Sequence, residues 1–187
     1  MMTRALVRHL VLSAILIIPL PACSPKTEPA SSLHPGLPFP ELKLQRLDGS
    51  FRNFRAASGK VTLFNAWGTW CPPCRKELPS LDHLNTILDK DHFDFILMAM
   101  DTDPLVVREY LHDNHIRLTT YIDQDLHITN DILELKVYPT TFIIDQKGII
   151  QLIVSGEKDW DSDAVIETMN ELWRNGMSTT TGMYNNL

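Results

Sequence analysis

From Leu42 onward the apolar positions fall into short segments whose spacing names the elements. Leu42 and Leu44, then Phe51 and Phe54, flank Asp48-Gly49 and read as a short hairpin. The unbroken apolar run Val61 to Trp67 suits a strand covered on both faces, as parallel strands are. Leu78, Leu81, Leu84, Ile87 and Leu88 recur at helical spacing behind Pro72 and Pro73, which fit a first helical turn, and Pro79 should kink that helix. Phe93 to Met100 reads as a second buried strand, Pro104 to Asn114 as a helix, Leu118 to Ile122 as a short strand and Leu126 to Leu135 as a further helical stretch. Thr140 to Ile144 and Ile149 to Val154 form a second hairpin through Gln146-Lys147-Gly148, and Ser162 to Arg174 closes the pattern with a helix. Strand and helix in alternation predict an α/β domain over residues 41–175.

The first 40 residues follow a different rule. Arg4 and Arg8 precede the apolar run Leu10 to Ile18, which is too short to cross a bilayer, and residues 1–22 therefore read as an export signal. Leu20-Pro21-Ala22-Cys23 resembles a bacterial lipobox, in which Cys23 would become the acylated first residue; Pro21 departs from the usual residue there, and plain secretion or an uncleaved anchor are the alternatives. In a cell with two membranes, Ser24 after that cysteine would favour the outer one by the same resemblance. Residues 23–40 carry Pro25, Pro29, Pro35, Pro38 and Pro40 among Ser, Thr and Ala, a composition expected to form a flexible tether. The polar residues 176–187 are expected to be a disordered tail.

Composition narrows the chemistry. With 44% hydrophobic and 21% charged residues the chain has the makings of one ordinary globular core, and a formal charge of −6 argues against nucleic acid as a partner. Three cysteines do not make a disulfide scaffold. Two of them form Trp70-Cys71-Pro72-Pro73-Cys74, at the junction of the Val61 to Trp67 strand and the helix that follows. At a helix N-terminus, unpaired N–H groups and the positive end of the dipole favour thiolate, which can lower a cysteine pKa from about 8.5 to roughly 3.5–7.5. Cys74 lies one turn further on the same face and can close a disulfide with Cys71, so Cys71 is the candidate attacking sulfur and Cys74 the resolving one. Half of a zinc site is the competing reading; it lacks ligands, because Cys23 lies far upstream and no second Cys-x-x-Cys or His-x-x-x-His follows. His112 and His115 are expected on one helical face, but with no third ligand they read as solvated.

The run Asn65-Ala66-Trp67-Gly68-Thr69-Trp70-Cys71-Pro72-Pro73-Cys74-Arg75-Lys76-Glu77-Leu78-Pro79 resembles the active-site stretch of the TlpA-like, membrane-tethered thioredoxins, which include the reductases of cytochrome c maturation. Tyr138-Pro139-Thr140-Thr141-Phe142-Ile143-Ile144-Asp145 and Gly156-Glu157-Lys158-Asp159-Trp160 resemble later segments of the same family, in the same order. The resemblance implies a thioredoxin-like fold, a central mixed sheet flanked by helices with an N-terminal hairpin and a central insertion. It implies a cis peptide before Pro139, facing the cysteines, with the Tyr138 backbone presented to an extended substrate strand. Val137 stands where many relatives have glycine, which alters the groove. Asn65 occupies the place of the buried aspartate of thioredoxin itself and cannot take a proton, so Glu77, which the family uses in its active site, is the candidate proton carrier. A solvated glutamate in an early helical turn is the other reading of Glu77. Trp70 is expected to be semi-exposed beside the cysteines, contacting partners, and Trp67 to lie in the core.

These residues point to an exported, lipid-anchored protein-disulfide oxidoreductase without cofactor or metal, working on extracytoplasmic protein disulfides such as those of apocytochromes or copper-site proteins. The resemblance implies a membrane electron donor that recharges it. A copper-delivery protein using both thiolates and a thiol peroxidase are the two alternatives.

Overall fold

The computed structural model describes residues 33–175. The export signal, Cys23 and the residues expected to form the C-terminal tail lie outside the described residues. Seven strands, β1 (Leu42–Arg46), β2 (Phe51–Phe54), β3 (Val61–Trp67), β4 (Phe93–Ala99), β5 (Thr120–Ile122), β6 (Thr140–Ile144) and β7 (Ile150–Ser155), form one mixed sheet in the order β2-β1-β5-β4-β3-β6-β7. The central β3-β4-β5 pairings are parallel, and the hairpins β1-β2 and β6-β7 join antiparallel at the two sides. All seven residues of β3 are buried, which is why that strand reads as a continuous apolar run.

Alternation along β3 divides the interior. Val61, Leu63 and Trp67 pack with the buried faces of helices α1 (Pro72–Ile87), α2 (Pro104–Asp113) and α3 (Asp163–Asn175), through Leu78, Leu81, Leu84, Val107, Leu111, Val165, Met169 and Leu172. Phe64 and Ala66 turn the other way, into a second cluster with Phe39, Phe54, Met98, Ile128, Leu133 and Phe142. The three α-helices among the described residues therefore serve one face, and the opposite face is closed by segments 33–39 and 126–135. α1 is a single helix across Pro79.

Four expectations need correction. The expected tether 23–40 does not extend to its stated end: Phe39 is buried against Phe64 and Phe142, with ring centroids 5.0 and 5.3 Å away, and Gly36 N, Phe39 N and Leu37 O hydrogen-bond to Ile150 and Gly148 beside β7. The packed domain thus begins before residue 41. The helical stretch Leu126 to Leu135 is a π-helix over His127–Ile132 only, entered through Leu126 at φ +59°. The buried carboxylate of Asp123 accepts from Ile128 N, Thr129 N and Thr129 Oγ1, tying down its first turn. Thr120–Ile122 is shorter than the strand expected from Leu118. His112 and His115 do not share a helix, because α2 ends at Asp113 and His115 adopts φ +57° beyond it.

Candidate active site

Cys71 is the N-cap of α1, with extended backbone (φ −98°, ψ 106°), and Pro72 and Pro73 occupy the next two positions. Neither proline has an N–H, so the first backbone donor the helix can offer is that of Cys74, and it points at Cys71 Sγ at 3.3 Å. The two sulfurs are joined in a disulfide, with their Cα atoms 5.3 Å apart. Cys71 is 4% exposed and Cys74 0%, so an approaching sulfur can meet only the first.

The loop before Cys71 is held by the two residues that follow β4. The Asp101 carboxylate accepts from Thr69 N and Thr69 Oγ1, at 3.1 and 2.5 Å, while the Trp70 indole donates to Met100 O at 3.0 Å. A Cβ on Gly68 would come within 2.7 Å of the Trp70 ring, so the absence of a side chain at 68 lets the indole fold back over the loop. Trp70 nonetheless keeps 58% of its surface exposed. It packs edge-to-face on Tyr138, with centroids 6.0 Å apart, and exposed Val137 lies next along the chain. The Tyr138-Pro139 peptide is cis. Trp67 is wholly buried, as its place in the sequence implies.

Glu77, on the second turn of α1, is buried to 1% exposure rather than solvated. Asn65 Nδ2 donates to its Oε1 at 2.7 Å, and Lys158 N and Trp160 Nε1 donate to its Oε2 at 3.1 and 3.0 Å. Asn65 Nδ2 also donates to Thr141 Oγ1, so the group spans α1, β3, β6 and the segment between β7 and α3. Burial drives the Glu77 pKa up to about 7, outweighing the three donors, which pull it down. Near neutral pH the side chain can therefore give or accept a proton. Asn65 Oδ1 is left buried with no hydrogen-bond partner, as is Trp67 Nε1.

Of the residues expected at the site, Cys71 and Cys74 are joined, Tyr138 packs on Trp70 and against the cluster that holds both cysteines, Pro139 follows through the cis peptide, and Glu77 lies on the cysteines' own helix three residues after Cys74. Reasoning from spacing did not assign roles to Trp160, Lys158, Asp101 or Met100; the Gly156 to Trp160 motif was the available signal for the first two. Among the described residues no group of three or more His, Cys, Asp or Glu side chains is placed to hold a metal ion.

A model of the redoxin family matches residues 34–169. This chain belongs to the redoxin family. As a redoxin, it is 31% identical over 127 residues to the thioredoxin-like protein YneN of Bacillus subtilis, a match covering 65% of this chain and 71% of that one. It is 28% identical over 121 residues to the thiol-disulfide oxidoreductase ResA of Geobacillus thermodenitrificans, covering 65% and 69%. The redoxin domain superposes on the thioredoxin domain of a thiol-disulfide oxidoreductase from Bacteroides vulgatus with a TM-score of 0.62 at 21% identity, over 76% of this chain and all of that one, and this likeness shows the thioredoxin-like fold. Fold and family agree with the resemblance carried by the cysteine motif.

Proposed function

We propose that this redoxin is an extracytoplasmic thiol-disulfide oxidoreductase that reduces protein disulfides. The observation that carries the reading is the Cys71–Cys74 disulfide at the N-terminus of α1, with Glu77 buried one turn further along. The chemistry is two-electron exchange. The Cys71 thiolate, facing the Cys74 N–H, attacks a partner disulfide; a bond forms from Cys71 Sγ to one partner sulfur and the other leaves as thiolate. Cys74 gives its proton to the Glu77 carboxylate, attacks Cys71 Sγ, closes the internal disulfide and releases the second partner sulfur. Trp70 and Tyr138 make the apolar rim on which the partner chain would rest, with the backbone at Pro139 beside it.

The export signal and Cys23 support anchoring of the domain to a membrane in a compartment where disulfides persist. There a reductant needs a membrane electron donor to reopen the Cys71–Cys74 bond. Apocytochromes and copper-site proteins, whose cysteines must be free before cofactor or metal is loaded, are the substrate class this favours. The test is the reduction potential of the pair together with insulin reduction. A value near about −270 mV or below supports a reductant and one near about −120 mV an oxidant. A Cys71→Ser variant that still reduces insulin ends the proposal.

A further inference from the structure

Glu77 meets two environments. Asn65, Lys158 and Trp160 hold its carboxylate from within, while the residue also forms part of the wall of a pocket of about 220 Å³ shared with Lys76, Ser80, Glu157, Lys158 and Asp159. Neither cysteine lines that pocket. Every residue that lines it carries a polar or charged group, and its volume suffices for several waters. Lys76 and Glu157 form an ion pair there, and besides Glu77 itself two further acids, Glu157 and Asp159, stand with the two lysines Lys76 and Lys158.

The sulfurs have no comparable access to solvent. Cys74 is fully buried, and Cys71 would be covered by the partner in the mixed disulfide, the state in which Cys74 must lose its proton. Toward the sheet Glu77 meets only neutral groups, Asn65 of β3 and through it Thr141 of β6, and toward α3 the Trp160 indole. The charged groups facing it are Lys76 on its own helix and Glu157, Lys158 and Asp159 on the segment after β7. We propose that this pocket is the proton port of the redox centre: the proton Glu77 takes from Cys74 leaves through the pocket beside the Lys76–Glu157 pair, not past the sulfurs.

The proposal deepens the relay role given to Glu77 and rests on it. The balance is simple: Cys74 thiol and Glu77 carboxylate become thiolate and carboxylic acid, the thiolate closes the disulfide with loss of the partner thiolate, and Glu77 then returns its proton to water in the pocket. Such a port lets the proton escape while the partner still covers Cys71.

The test follows the resolving step alone, by stopped-flow thiol release from full-length protein carrying a preformed mixed disulfide between Cys71 and a small thiol. Glu77→Ala is expected to slow this step on the order of a hundredfold at neutral pH. Formate, a carboxylate small enough to enter from the pocket, is expected to restore it in a saturable manner, and Glu157→Trp in the same background, an indole at the mouth, is expected to remove that rescue. No rescue by formate, or rescue undiminished by Glu157→Trp, overturns the port. Unchanged resolution in Glu77→Ala at every pH overturns the relay itself, a separate result. Should Glu77→Ala not fold, Glu157→Trp alone serves, with thionitrobenzoate, a thiol acidic enough to leave unprotonated, as the small thiol: proton release read by a pH indicator that lags several-fold behind thiol release, where the two keep pace in wild type, supports the port, and proton release that keeps pace in the variant contradicts it.

Discussion

Replacing Glu77 by glutamine should change how the stability of the oxidised domain depends on pH. The folded-state pKa of Glu77 stands at about 7 against an ordinary value of 4.5, because burial penalises the carboxylate. Between those values the folded chain binds more protons than the unfolded one, so stability falls as pH rises, and the loss is complete above the folded pKa. The full difference corresponds to about 3 kcal/mol, of which about 2.5 kcal/mol falls between pH 5 and 8. Glutamine does not titrate and loses this slope. It brings a cost of its own, since its amide would confront Asn65 Nδ2; rotation of the Asn65 amide, whose Oδ1 is free, limits that to about one hydrogen bond, roughly 1 kcal/mol. Urea unfolding of wild type and Glu77→Gln across this range should show the variant gaining about 2.5 kcal/mol relative to wild type from pH 5 to 8. Other titrating groups cancel in the difference. Two stability curves that stay parallel would refute the assignment of a buried, half-ionised Glu77.

Trp160→Phe removes an indole donor that holds the Glu77 pKa down, so the pKa should move above about 7; the carboxyl carbon shift of Glu77 across a pH series reads this directly. Phe39→Ala should destabilise the domain by about 3 kcal/mol in urea, since a buried aromatic wedged among Phe54, Phe64 and Phe142 is lost; a near-neutral change would return residue 39 to the tether. Trp70→Ala should raise KM several-fold for a protein disulfide and leave a small-molecule disulfide unaffected, because the exposed indole offers contact area only a large partner can cover.

The elements of the central sheet were legible because burial on both faces leaves an unbroken apolar run, as in Val61 to Trp67, and because Pro72-Pro73 marks where α1 can start. Segment 33–39 was not: its prolines look like linker composition, and what packs it on the sheet, the ring contacts of Phe39 and the backbone hydrogen bonds of residues 36–39 to Gly148 and Ile150, involves partners far along the chain. The π-helix was hidden for a similar reason, since its apolar spacing suits any helix, while the Asp123 carboxylate and the left-handed Leu126 that set its geometry are tertiary choices. Of the candidate site, Cys71 and Cys74 were readable from a spacing of three within one chain segment. The state of Glu77 was not, because its partners lie 12 residues before it in Asn65 and 83 after it in Trp160, and burial of a carboxylate is fixed by what folds over it.

Trapping the mixed disulfide tests the central claim most directly. Incubated with a disulfide-bonded protein substrate and analysed by mass spectrometry, reduced Cys74→Ser should accumulate a covalent adduct at Cys71, because attack proceeds and resolution cannot. Reduced Cys71→Ser should accumulate none, since the Cys74 sulfur has no exposed surface. An adduct at Cys74 in the second variant, or none at Cys71 in the first, would contradict the account.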